Sequence, residues 1–353
     1  MIAIIGGGPA GIALASALDR LGIAYDLFET HRLGATWRAA PPDLRVLSPW
    51  WTNVLSAHEA LRGNPFRKPR AGEYLAHLLH IADQLGGNLR ESCKVEALKK
   101  DANGACWLDT GQGRFGPYSA VVLATGYFFA PSLPSPAPIS DDSIQVLHAS
   151  QISDYSQLEA FRAGTGPVVV VGRRVTAGQL LLELDKRGIA CALSLRSPIE
   201  YRRHGRIAEL RETAYFFWEE LQARLRPGLK RPSYPVMDGG RTRELIDDAR
   251  VTLWPVIERI ENGEVIFDDG RRLRASAVVL ATGYHAMLEL LPASIPQDAF
   301  GTPLNRAFEV ENFANVFLLG FDNLYDHRSR YLRGIRSDAI RLARILALRT
   351  TAT

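Results

Sequence analysis

GGGPAG, residues 6–11, lies between an apolar run and a helix-forming stretch, a spacing suited to holding phosphate. Gly6, Gly8 and Gly11 form a G-x-G-x-x-G pattern, and Glu29 stands near the roughly 20-residue offset at which an acid meets a ribose hydroxyl pair. Gly6 permits a tight turn, Gly8 lets a pyrophosphate approach the backbone, and Gly11 lets the helix pack closely on its strand. Pro9 and Ala10 open that helix, whose free N–H groups suit a phosphate.

VVVVGRRVTAGQLLLELDKRGIACALSLR, following Pro167, repeats this grammar with departures. Gly172 keeps the turn and Arg173 follows it, but Arg174 stands where the middle glycine belongs and Ala177 where the third does, while Thr176 offers a hydroxyl. Arg174 either obstructs a pyrophosphate or clamps it, and both readings stay open. Arg196 follows the next strand, where an arginine favours a 2′-phosphate and hence NADPH over NADH; a surface arginine is the alternative.

The elements that must position these residues are legible. Ile2–Ile5 and AYDLFE read as strands around the first helix; Val168–Val171, Val175–Lys186 and Ala190–Leu195 read as strand, helix and strand. VVLATGY occurs twice, at Val121–Tyr127 and Val278–Tyr284. Each copy follows alternating strands with a turn signal, Asn103–Gly104 and Asn262–Gly263, so each reads as the return strand closing one unit after a small antiparallel hairpin or meander. The fold class expected is α/β, with two Rossmann-like dinucleotide-binding domains.

With 353 residues there is length for two domains, and 46% hydrophobic with 23% charged residues is ordinary for a globular chain. A net charge of +4 with scattered arginines argues for anionic cofactors rather than nucleic acid. Three cysteines, Cys93, Cys106 and Cys191, without C-x-x-C spacing argue against a disulfide framework or local dithiol. No targeting segment precedes the first motif and no apolar run approaches the roughly 18 residues of a membrane span, so a cytoplasmic location is expected. No His/Cys/acid cluster shows metal-ligand spacing.

Together GGGPAG, GATWR at Gly34–Arg38, Thr52–Asn53, both ATGY segments, the degenerate second loop, NVFLLGF at Asn315–Phe321 and GIRSDAIRLARIL at Gly334–Leu346 span nearly the whole chain. The pattern resembles the flavin-dependent monooxygenases of the two-dinucleotide-binding-domain type. The resemblance implies an FAD domain at 1–160 and 280–353, interrupted by an NADPH domain at 161–279 that carries a helical insertion at about 205–226. It places Gly34, Trp37 and Arg38 beside the flavin, with Trp37 as an ordinary core aromatic the alternative. Asn53 would hydrogen-bond near the reactive flavin carbon, or serve a turn. Thr125, Gly126, Thr282 and Gly283 would mark the paired crossings between domains, Asp322 the ribityl chain, and the last helix would aim its N-terminus at the flavin. The Baeyer–Villiger pattern F-x-G-x-x-x-H is broken, because counting back from His148 meets Asp142 and Ile144.

The activity implied is NADPH- and O2-dependent oxygenation of a small-molecule nitrogen or sulfur nucleophile through a C4a-(hydro)peroxyflavin. The alternatives are an NADPH reductase of the thioredoxin-reductase type lacking a dithiol, and a flavin-binding redox sensor with a degraded NADPH site. A homodimer is left open. In the insertion, Ile207, Leu210, Ala214, Phe217, Leu221 and Leu225 recur at helical spacing, predicting a helix packed on the NADPH domain, with a substrate lid or dimer contact as further options. The segment Asp326–Arg333 reads as a solvated charged loop, with an approach to the substrate or NADPH as the alternative.

Overall fold

Four apolar residues in a row, Ile2–Ile5, suit a strand covered on both faces, and this strand lies inside a seven-stranded sheet. The computed structural model describes residues 1–56, 63–134, 143–199, 201, 208–230, 238, 240–299 and 301–350, without the side chains of 208–213 and 350. The first unit runs β1 (Ile2–Ile5), α1 (Pro9–Asp19), β2 (Tyr25–Phe28), α2 (Ala35–Ala39), α3 (Ala71–Ala82) and β3 (Asn88–Arg90). A meander of β4 (Val95–Lys100), β5 (Cys106–Thr110) and β6 (Gly113–Tyr118) follows, then β7 (Ala120–Leu123).

The second unit has the same plan. It contains β8 (Gln145–His148), β9 (Val168–Val171), α4 (Val175–Lys186), β10 (Cys191–Ser194), α5 (Ala208–Leu225), α6 (Arg241–Asp247) and β11 (Val251–Trp254). Its meander is β12 (Ile257–Glu261), β13 (Glu264–Phe267) and β14 (Arg272–Arg274), and β15 (Ala277–Leu280) returns. The chain then rejoins the first sheet through β16 (Asn305–Arg306), β17 (Glu309–Val310) and β18 (Val316–Leu318), and closes with α7 (Leu332–Thr350).

Strand order makes the duplication explicit. The first sheet is β16-β17-β18-β7-β1-β2-β3, parallel from β18 to β3; the second is β11-β10-β9-β15-β8, parallel throughout. The repeated heptapeptide forms β7 and β15, the return strands, in matching register: Ile5 pairs with Leu123 and Val171 with Leu280. α7 packs on α1 and buries Ala339, Leu342, Ala343 and Leu346 as one face at helical spacing.

Beyond β7 and β15 the two connecting segments grip each other reciprocally. The Thr125 hydroxyl donates to Met287 O, and Met287 N donates to Gly126 O at 2.9 Å. The Thr282 hydroxyl donates to Ser132 O, and Ser132 N donates to Gly283 O at 2.9 Å. Each Thr-Gly pair therefore clamps the segment leaving the other, which explains why two units need the same closing residues. His148 joins this crossing through Nε2, 3.2 Å from Gly283 O, and its burial lowers its pKa, favouring the neutral ring.

Three expectations need correction. β8 and the segment Tyr155–Ala163 belong to the second sheet and its core, so a first-domain boundary at 160 falls too late. The apolar side of α5 is not its buried side: Phe216, Glu219 and Ala223 are buried, whereas Phe217, Leu221 and Leu225 are exposed. The charged loop is not solvated either, because Asp326, His327 and Arg328 lie beneath α5. One cause underlies the last two corrections, since acids on α5 find cations on that loop and the ionic match overrides apolar periodicity. Ile207, the side chain of Leu210, and Asp142 lie outside the described residues.

Candidate functional site

Both glycine loops sit at the carboxyl ends of parallel strands, where this architecture leaves a crevice for ligands. In the first loop each glycine is required for a different reason. Gly6 has φ 117°, and a Cβ there would lie 2.3 Å from Ala124 O; at Gly11 a Cβ would lie 1.9 Å from Gly6 O. Gly8 is extended, φ −86° and ψ −170°, a conformation open to any residue, and a Cβ there would meet nothing within 4 Å. Glycine at position 8 therefore leaves space, the cradle a pyrophosphate needs. Gly8 caps α1 without a side-chain hydrogen bond, and Pro9 stands in the first turn before Ala10.

Glu29 is buried and fixed. Gly7 N donates to its Oε2 at 2.7 Å and His31 N to its Oε1 at 2.8 Å, leaving lone pairs for a hydroxyl pair. Gly34, with φ 71°, hangs the GATWR segment on the same loop, its N–H donating to Gly7 O at 2.9 Å. Arg38 Nε donates to Leu33 O at 2.9 Å. Trp37 lies 4.5 Å from the Tyr74 ring and packs against the first core, which fits the core-aromatic alternative.

Asn53 is almost wholly buried. Its Oδ1 accepts from Ser48 Oγ at 2.6 Å and from Thr52 Oγ1 at 3.3 Å, and its Nδ2 donates to Ser48 O at 3.0 Å. Three bonds fix the amide's orientation and leave one N–H for another acceptor. Asp322 lies close to the first glycine loop, because Gly320 approaches Ala10 at the start of α1 so closely that a Cβ would be 2.9 Å away. Asp322 N donates to Tyr127 Oη at 2.8 Å, and its carboxylate holds Arg330 at 3.0 Å, whose guanidinium lies 4.4 Å from the Tyr127 ring centre. Tyr127 and Arg330 were not singled out as site residues, because no local spacing ties them to Asp322.

In the second loop Gly172, φ 147°, crowds Ala281 as Gly6 crowds Ala124. Arg174 caps α4 in the same extended geometry as Gly8, φ −114° and ψ −169°, so the replacement costs the backbone nothing. Its guanidinium is exposed and makes no hydrogen bond or ion pair among the described residues, though it lies near enough to Tyr331 to act on that phenol. Thr176 stands in the first turn of α4. The register places Leu195, not Arg196, opposite Glu29: Gly6 N donates to Phe28 O and Gly172 N to Ser194 O. No acid therefore awaits a ribose hydroxyl pair there. Exposed Arg196 follows, and Arg173 reaches Pro198 O at 3.4 Å beside it.

These residues fit the two groups unequally but without conflict: a cradle with a fixed acid for FAD, and a cluster of arginines for a phosphorylated dinucleotide. The family described as pyridine nucleotide-disulphide oxidoreductase matches residues 3–320. The chain belongs to that family. An uncharacterized CzcO-like oxidoreductase of Geobacillus kaustophilus (strain HTA426) is 24% identical over 347 residues, covering 96% of this chain and 95% of the relative. A flavin-containing monooxygenase from Stenotrophomonas maltophilia superposes with a TM-score of 0.75 at 18% identity, over 99% of this chain and 98% of that one. A bacillithiol disulfide reductase from Bacillus cereus does so with a TM-score of 0.73 at 20% identity, over 99% of both chains. The oxidoreductase fold is thus shared with both oxygenating and disulfide-reducing proteins. No helix among the described residues is long and apolar enough to cross a membrane.

Near the start of α7, Asp338 is buried, with Oδ1 3.1 Å from Arg341 and Oδ2 without a hydrogen-bond partner among the described residues. Burial, reinforced by the Asp326 charge, raises its pKa to about 7. A carboxyl raised in the folded state contributes stability at low pH that is lost as pH climbs through the folded value. Stability should therefore fall by about 1 kcal/mol between pH 6 and 8 on this account. Urea denaturation of Asp338→Asn should show that slope removed; an unchanged slope would contradict the assignment.

Proposed function

We propose that this oxidoreductase is an FAD- and NADPH-dependent monooxygenase that transfers one oxygen atom from O2 to a small-molecule nitrogen or sulfur nucleophile. The division of labour follows the two units: FAD on the first, NADPH on the second. The observation that carries the reading is that all three cysteines, Cys93, Cys106 and Cys191, are free and buried, so they do not form a disulfide that could accept electrons from the flavin. Burial raises the Cys106 pKa and pushes that of Cys191 up to about 12, so both stay as unreactive thiols.

The balanced reaction takes substrate, O2, NADPH and a proton to oxygenated substrate, water and NADP+. Bound flavin supplies the hydride acceptance and oxygen activation. The chain's own contribution is placement. Gly8 and the first N–H groups of α1 receive the pyrophosphate and Glu29 the ribose. Gly34, Arg38 and Asp322 line the path toward the flavin ring. Asn53 directs its remaining N–H without offering an acid. Gly172, Arg173, Arg174 and Thr176 hold the phosphates of NADPH, with Arg174 as a clamp, and Arg196 meets the 2′-phosphate. A charge-assisted bond of this kind is worth about 1.5–3 kcal/mol, so Arg196→Ala should cut the preference for NADPH over NADH roughly tenfold or more.

Anaerobic mixing of the flavin-loaded protein with NADPH, followed by exposure to oxygen, tests the reading. Bleaching by NADPH, then an oxygenated product formed from an added amine or thioether, is the expected result. Bleaching with electrons passed only to a disulfide would favour the reductase reading, which the bacillithiol disulfide reductase likeness motivates. Flavin that NADPH leaves oxidised would sink both.

A further inference from the structure

α5 is inserted in the second unit between β10 and β11, yet its described contacts reach the first. Glu219 on its buried face meets Arg333 and, at 3.2 Å, His327, while Glu220 holds Arg328 at 2.6 Å. This anchor turns Phe217 and Trp218 away from the ionic contact, and they remain 52% and 54% exposed. Phe217 stacks on Trp51, with ring centroids 4.6 Å apart and planes 20° apart, and Phe66 lies 6.3 Å from Phe217. Trp51 and Phe66 come from facing segments of one loop, since Trp51 N donates to Pro65 O at 2.9 Å and Trp50 N to Arg67 O at 2.8 Å. Trp51 immediately precedes Thr52–Asn53. Its indole Nε1 is buried without a hydrogen-bond partner among the described residues.

We propose that Trp51, Phe66 and Phe217 form the substrate-selecting wall beside Asn53, and that the wall takes a flat apolar molecule, an aromatic or heteroaromatic amine or thioether. The ring of the ligand joins the aromatic faces. The oxidised atom rests on the monooxygenase reading; the recognition of the ring does not. Three large aromatic side chains drawn from distant parts of the sequence give a surface that is poorly spent on water. The occupant is a small molecule rather than a second copy because the wall is continuous with the Ser48–Asn53 loop and Trp51 itself is half-buried. The ionic anchor keeps the wall preorganised, which favours binding of a rigid ring.

Titration of the flavin-loaded protein with methyl phenyl sulfide and, separately, diethyl sulfide, without NADPH, tests the proposal through tryptophan fluorescence and calorimetry. Wild type is expected to bind the aromatic sulfide, and Phe217→Ala to bind it roughly threefold to tenfold more weakly while its weak affinity for diethyl sulfide stays the same. Phe217 is half exposed, so the variant is expected to keep its fold, checked by circular dichroism. Equal affinities of wild type and variant for the aromatic probe, or no binding of it, would overturn the proposal. So would a concentration-dependent dimer of wild type that Phe217→Ala dissociates, because the face would then belong to a second copy. Flavin reduction by NADPH, followed on the same samples, separates the two readings: its failure with aromatic binding intact removes the monooxygenase and leaves the wall.

Discussion

Replacing Glu219 by alanine is expected to destabilise the protein by about 3–5 kcal/mol, the cost of leaving the buried Arg333 guanidinium without its carboxylate. Glu219 sits on α5 with a side chain only 2% exposed; Arg333 and His327 on the facing segment are 10% and 1% exposed. Tyr215 Oη also donates to Glu219, at 2.6 Å. The attraction of Arg333, with hydrogen bonds from His327 and Tyr215, outweighs burial and holds the carboxyl below the usual range. Since the folded pKa is depressed, this contribution is present above the ordinary carboxylate value and fades only in strong acid. Urea denaturation at pH 7, with limited proteolysis of α5, measures the effect. Glu219→Gln should cost less than alanine because the amide keeps an acceptor. A loss under about 1 kcal/mol for the alanine variant would mean that the contact is solvent-screened, as surface pairs are.

That network also marks the limit of what the sequence could reveal. β1, β9, α4 and the two return strands were legible because each is a local pattern: a four-residue apolar run, a glycine turn, or a repeated heptapeptide. Glu29 was legible because strand and helix lengths fix its offset from the glycines. α5 was legible as a helix, but its facing was not. Periodicity assigns Phe217 and Leu221 inward, and the opposite outcome depends on Arg333 and His327, more than 100 positions away in sequence. The boundary at 160 failed for a related reason, since β8 precedes the second glycine loop yet enters its sheet beyond β15. The roles of Tyr127 and Arg330 with Asp322 are likewise set by a return of the chain that no local pattern encodes.

Gly8→Asp should preserve the fold and abolish most flavin binding, whereas Gly11→Leu should lose both. The contrast follows from what a side chain meets at each position. A Cβ at Gly8 finds open space, and the residue's extended backbone is one that aspartate readily adopts as the N-cap of α1. Its carboxylate would cap the helix N–H groups itself and repel the pyrophosphate that needs them. Losing hydrogen bonds to a charged group at about 1.5–3 kcal/mol corresponds to roughly 10–100-fold weaker FAD binding. At Gly11 the first side-chain atom would lie 1.9 Å from Gly6 O, so α1 could not sit against its own loop. Circular dichroism and the flavin-to-protein absorbance ratio after reconstitution distinguish the variants. Full flavin occupancy in Gly8→Asp would show that the space beside residue 8 holds no phosphate, and the assignment of FAD to the first unit would fail with it.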